Sequence, residues 1–117
     1  MTKETVFRAK CIKKGEWHIG HYYLDDIGEI KHMIKTPLEY AVEIDPDTLC
    51  EYTGINDNDG SRIFQNDIIR KSRVRWNPMG YWDLTDDQHK GLHEYNHAKF
   101  YIGGNIFDDP EMLKYKL

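Results

Sequence analysis

EIDPDTLCEYTGINDNDGSRIFQNDIIR, residues 43–70, interleaves turn residues with apolar residues at period two. Pro46 fixes its own φ and pushes Asp45 towards extended geometry. Asp45-Pro46-Asp47-Thr48 therefore reads as a turn, or as one turn of helix capped by Asp45. Residues 49–53 resume a strand. Residues 54–60 form a polar loop that closes on Asp59-Gly60, a hairpin signal, and residues 62–64 return. Residues 67–76, with Ile68, Ile69, Val74 and Trp76, make the clearest strand of the chain. The run Asn56-Asp57-Asn58-Asp59-Gly60 invites a calcium-loop reading. Counting back from Gly60 puts Ile55 at the first ligand position and Asn66 where a bidentate glutamate belongs. The run is better read as a turn whose Asp and Asn side chains bond their own backbone.

Working outward, residues 5–13 and 16–24 read as strands, with Gly20 as a bulge or a close contact. Asp25-Asp26-Ile27-Gly28 turns the chain, 29–34 returns, Thr36-Pro37 breaks it, and 40–44 is a short strand. Beyond the central stretch, Asn77-Pro78-Met79-Gly80 is a turn and 81–84 pairs back. Residues 85–97 read as a loop or a frayed helix. Thr85 and Gln88 have capping-box spacing, but Gly91 and Asn96 weaken a helix. Residues 99–102 read as a strand. Asp108-Asp109-Pro110-Glu111 opens a terminal helix that continues through Met112, Leu113 and Tyr115. The expected fold is all-β or mainly β. It is a single domain over residues 1–117, either a compact barrel or a curled antiparallel sheet of short strands, with a short C-terminal helix.

The chain has 117 residues and 13% aromatics, so cross-strand ring pairs should supply much of the core. Charged residues make up 31% but are mixed in sign, and the net charge is −4. That balance argues against a general polyanion binder. No apolar run approaches the ~20 residues a membrane span needs. The first residues carry no apolar signal core, so a cytoplasmic protein with no membrane partner is expected. Cys11 and Cys50 are far apart and read as small buried thiols.

The parsed stretch resembles the signature of the YopX family, small proteins carried by phages and prophages. The matching residues are Asp45-Pro46-Asp47-Thr48, Tyr52-Thr53-Gly54-Ile55, Asp57, Gly60, Ile63-Phe64 and Asp67-Ile68-Ile69. Phe7-Arg8-Ala9-Lys10, Trp17 and Gly20 fit the family's opening. Gly104-Asn105-Ile106-Phe107, Pro110-Glu111 and Leu113 fit its ending. The chain departs from the pattern at Glu51, where Gln is frequent, at Asp59, where Asn is, and at Asn66, where Gly is common. The resemblance implies a mainly β, YopX-like fold and the cytosol of a bacterial host. It carries no established activity, cofactor or catalytic residue. The signature positions Asp45, Pro46, Thr48, Tyr52, Thr53, Gly54, Asp57, Gly60, Ile63 and Asp67 are expected to be structural, setting turns and strand register.

Two further constellations bear on chemistry. His93-Glu94-Tyr95-Asn96-His97 matches His-Glu-x-x-His, which needs both histidines on one helical face with the glutamate as base. Gly91, Asn96 and the strand signal that follows deny it that helix, so the spacing reads as chance in a solvated loop. Lys71, Arg73 and Arg75 alternate along the 67–76 strand and share a face, which Arg8 and Lys10 would extend if the strands were neighbours. That stripe is either a nucleic-acid contact or the solvated face of an edge strand protected by its charges. No phosphate-binding glycine loop and no nucleophile elbow is present. The leading expectation is a non-enzymatic binding or adaptor protein. It would act through an unknown protein partner or by self-association, with no cofactor, no metal and no catalytic residue. The alternatives are a nucleic-acid-binding module through Lys71, Arg73 and Arg75, and, more weakly, a zinc hydrolase through His93, Glu94 and His97.

Overall fold

The structure, a computed structural model, describes residues 5–95 and 100–113. Among them are eleven strands, three short 3-10 turns and no α-helix, so the fold is mainly β and built of antiparallel sheets. Among the described residues no helix is long and apolar enough to cross a membrane. The chain divides into two compact units, Met1–Tyr52 and Thr53–Leu117.

The first unit holds β1 (Phe7–Lys10), β2 (Trp17–Asp25), β3 (Lys31–Lys35), β4 (Ala41–Glu43) and the start of β5 (Cys50–Asn56). Its sheet runs in the order β4-β3-β2-β1-β5. Alternation places Phe7, Ala9, Tyr22, Ile34 and Val42 on one face. They enclose a small core in which Ala9, Ile34 and Ile44 are fully buried. β2 is the long strand, and it changes partner midway. Gly20 pairs with Phe7 of β1, and the next residue, His21, pairs with Lys35 of β3. At that corner a Cβ on Gly20 would collide with the Lys35 carbonyl, so Gly20 is a close contact rather than a bulge.

The sheet curls until β4 meets the end of β1. Cys11 and Ile44 form an isolated bridge. Ile12 N donates to Glu43 O (3.1 Å) and Asp45 N to Lys10 O (2.9 Å). Among the described residues, edge strand β4 thus meets the end of interior strand β1 by an isolated bridge, and the sheet is curled without closing into a barrel. Pro46–Thr48 is the expected single turn of helix, of 3-10 type. Asp45 Oδ1 accepts from Asp47 N at 3.0 Å. Thr48 Oγ1 donates to Asp45 O (2.7 Å) and accepts from Lys10 N (2.8 Å). That hydroxyl thus ties the turn to β1.

β5 crosses the unit boundary and has β6 (Arg62–Phe64) as its other neighbour. The second sheet comprises β7 (Asp67–Ile69), β8 (Ser72–Asn77), β9 (Tyr81–Leu84), β10 (Asp87–Gly91) and β11 (Gly104–Asn105), in the order β10-β9-β8-β7-β11. Ile63, Ile69, Val74, Trp82, Leu84, Leu92 and Phe100 form its core. Trp76 and Trp82 face each other across β8 and β9 with ring centroids 5.0 Å apart, edge to face, a favourable arrangement for aromatic pairs.

Four expectations are corrected here. The single strand over 67–76 is two, split at Arg70-Lys71. Both residues lie at positive φ (+55° and +64°), and Ile69 pairs with Ser72 around them. This two-residue hairpin turn normally takes Asn-Gly. It gives no sequence signal here, because the packing of Ile69 and Val74 holds two ordinary residues in left-handed geometry. Of residues 85–97, read as a loop or a frayed helix, 85–95 instead supply β10 and a 3-10 turn, Leu92–Glu94, and 96–97 lie outside the described residues. The capping box is not formed by Thr85, whose Oγ1 accepts from Arg73 N (3.1 Å) instead.

Of the strand expected over 99–102, residues 100–102 belong to no strand. Phe100 O accepts from Asn58 N, and the next residue beyond the stretch, Gly103, donates to Ile68 O, both at 2.9 Å; residue 99 lies outside the described residues. The C-terminal helix is replaced by a 3-10 turn, Pro110–Met112, which ends on extended Leu113. Asp109, at its cap position, spends its carboxylate on Asn105 N (3.2 Å) rather than on the turn. Tyr115 lies outside the described residues.

Candidate functional site

The signature residues converge on backbone rather than on an open site. Asp57 Oδ1 accepts from Asp59 N and Ser61 N, both at 2.9 Å, and its Oδ2 accepts from Ile102 N at 3.4 Å. A carboxylate with three backbone donors is a turn organiser. Gly54 and Gly60 sit at positive φ (+87° and +82°), where a side chain is strained. Thr53 Oγ1 donates to Ile63 O (2.8 Å) and accepts from Ile55 N (3.2 Å). Buried Asp67 accepts from Phe64 N (2.8 Å). Tyr52 and Ile63 are buried. Asn66 adopts φ +70°, which explains why asparagine can stand at a glycine-rich position of the pattern. Some of these bonds lie within a turn, such as Asp57 with Asp59 and Ser61, and others reach across the unit, such as Asp57 with Ile102.

The three basic candidates do not form one stripe. Lys71 sits in the tight turn. Arg73 and Arg75 share a face of β8, and each has a partner inside the unit. Arg73 Nη1 donates to Asn66 Oδ1 (3.2 Å). Arg75 Nε and Nη2 donate to the two carboxylate oxygens of Asp83 (3.0 and 3.3 Å). Asp83 is fully buried and also accepts from Asn77 Nδ2 (2.7 Å). Arg8 and Lys10 belong to β1, whose sheet neighbours are β2 and β5. They flank Trp17, with Arg8 Cζ at 4.8 Å and Lys10 Nζ at 5.4 Å from the ring.

His93 and Glu94 lie in the 3-10 turn, and Tyr95 beyond it is extended (φ −84°, ψ 158°). A continuous helical face from 93 to 97 is therefore not formed, and His97 lies outside the described residues. Glu94 Oε2 accepts from Gly91 N (2.6 Å), closing its own turn. Among the described residues no group of three or more His, Cys, Asp or Glu is placed to hold a metal ion. Tyr95 is instead an anchor. Its hydroxyl donates to Asp87, and Lys90 Nζ lies 4.2 Å from its ring centroid. Burial, and then the bond to the Asp87 carboxylate, push its phenol well above the ordinary tyrosine value.

Two features of the first unit carry no motif. The first is the end of the β2–β3 hairpin. Leu24, Ile27 and Ile30 are 53%, 89% and 68% exposed, on a turn shaped by Asp25 Oδ1 accepting from Ile27 N (3.1 Å) and by Gly28 at φ +84°. Single exposed aliphatics are ordinary; here Leu24 at the end of β2 and Ile27 and Ile30 beyond it stand exposed within seven residues.

The second feature is a cleft of about 490 Å³. It is lined by the β1–β2 turn (Cys11 to Lys14, and Glu16), by His18 and Lys31, and by β4. Gly15 at φ +68° folds this turn back, donating its N–H to Cys11 O (3.0 Å). The backbone N–H of Lys14, facing the sulfur, holds the Cys11 thiol below its ordinary value. The N–H groups of Glu16 and Gly15 help, while desolvation and the Glu16 carboxylate oppose. Cys11 is partly exposed, whereas Cys50 is buried and donates to Thr48 O (3.3 Å).

A family model described as YopX protein matches residues 6–114, nearly the whole chain. No curated protein matches the sequence.

Proposed function

This chain belongs to the YopX family, and from that membership and the surface just described we propose that it is a non-enzymatic binding or adaptor module of phage or prophage type. It acts by protein–protein contact in the bacterial cytosol. The observation that carries the reading is the hairpin end with Leu24, Ile27 and Ile30 turned to solvent. Covering Ile27 on a partner would contribute about 1.5–3 kcal/mol before the entropic costs of association, and the half-buried Leu24 and the partly covered Ile30 proportionally less. Asp25, Asp26 and Glu29 share the turn, so an apolar partner surface with a basic rim would fit it.

The test compares wild-type protein with an Ile27→Asp, Ile30→Asp double variant. Both substitutions are on exposed turn residues, so the fold is expected to persist by circular dichroism. Pull-down from a bacterial host and light scattering at high concentration are then run on both. Partners, or a self-associated species, that are present with wild type and lost with the variant support the reading. A wild-type protein that stays monomeric and retains nothing specific refutes it. So does a variant that binds the same partners equally well.

A further inference from the structure

The cleft of the first unit borders the hairpin end through Lys31, the residue after Ile30 and the register partner of Asp25, and has a chemistry of its own. Three lysines line it, Lys13, Lys14 and Lys31, against two carboxylates, Glu16 and Glu43. Among the described residues none of the three ammonium groups has an ion-pair partner. Three lysines against two glutamates leave the lining one positive charge in excess, and like charges in one concavity favour an anion between them. The neighbouring wall is apolar, with Ile12, Ala41 and Val42 beside the His18 ring. The volume lies within the range of small-molecule pockets. Lysines bind phosphate as compact point charges, and an apolar wall adds nothing for a bare ion. We propose that this cleft binds a small phosphate ester, its phosphate held by Lys13, Lys14 and Lys31 and its organic part laid against Ile12, Val42 and His18.

Cys11 supplies a reporter inside the cleft, and Cys50, being buried, should stay silent in the folded protein. Native protein is alkylated with iodoacetamide, a neutral reagent, and the modified thiol is identified by peptide mass spectrometry. The rate is measured with adenosine monophosphate, ribose 5-phosphate, inorganic phosphate, or potassium chloride at matched ionic strength. The expected result is saturable slowing by the esters, roughly tenfold when the cleft is full, with a weaker effect of inorganic phosphate. The slowing should be lost in a Lys13→Glu, Lys14→Glu double variant. If that variant does not fold, Lys31→Gln should weaken the protection, and wild-type amide shifts on ester binding should map to residues 11–16 and 41–43.

No saturable slowing by either ester below about 1 mM, the scale of a weak specific site, overturns the proposal. Equal slowing by potassium chloride overturns it too, as does protection that survives loss of the lysines. Inorganic phosphate protecting as well as the esters would overturn the assignment of the apolar wall to an organic group.

Discussion

Arg75 and Asp83 show how far a side chain's neighbours alter its meaning. Read along the strand, Arg75 is one of three free charges. Across the sheet it is the register partner of Asp83, and its guanidinium takes both oxygens of a carboxylate with no solvent exposure. Arg75→Ala leaves that carboxylate with Asn77 as its remaining side-chain donor. It should destabilise the protein by about 2–3 kcal/mol, towards the low end for a broken buried pair because the arginine is itself partly exposed. Urea unfolding of the variant checks this; unchanged stability would return Arg75 to the pool of free surface charges. Tyr95 gives a prediction in pH. The folded state holds its phenol neutral above the ordinary value of about 10, so the unfolded chain ionises first. That contribution is fully present below about pH 10 and is lost as pH rises towards the folded value. Thermal melts should therefore fall through the alkaline range more steeply for wild type than for Tyr95→Phe.

Among the elements, the hairpin of β7 and β8 is the one whose local sequence argues against its conformation. Two ordinary residues at positive φ cost about 1–2 kcal/mol each. Arg70 recovers part of this by lying over the rings of Phe100 (5.3 Å) and Tyr95 (5.7 Å). Lys71 makes no such contact among the described residues. Lys71→Gly should relieve its strain at the smaller entropic cost of glycine and stabilise the protein by about 0.5–1 kcal/mol. A higher urea midpoint with unchanged slope would show it, and a lower midpoint would mean the lysine contributes something the geometry does not reveal. The strand β10 was hidden for a related reason. Its signal, Asp-Gln-His-Lys-Gly, lacks β-branched residues, and it forms because β9 offers an edge to pair with. The terminal turn stops short because Asp109 bonds Asn105 instead of capping.

For the molecule as a whole, the net charge is −4, and Arg73 and Arg75 are engaged within the second unit. Labelled single- and double-stranded DNA should therefore show no saturable binding at about 150 mM salt, where non-specific contacts are screened. Fluorescence anisotropy would decide. Saturable binding that Lys71→Glu abolishes would reinstate the basic face.

The sequence by itself determined the strand-rich class and the family. It also determined the turns at 45–48 and 57–60, where Asp45, Thr48 and Asp57 bond backbone two to four residues away, while the further bonds of Thr48 to Lys10 and of Asp57 to Ile102 are tertiary. The tertiary structure alone decided the curl that brings Ile44 to Cys11, the partner of Arg75, the break at Arg70-Lys71 and the cleft. The curl and the cleft join segments far apart in the chain, whereas the Arg75–Asp83 pair and the break at Arg70-Lys71 are close in sequence and were set by packing around them. Period-two alternation states which face a residue occupies, but not which strand lies beside it. That pairing depends on register and on loops that close only when the core is packed.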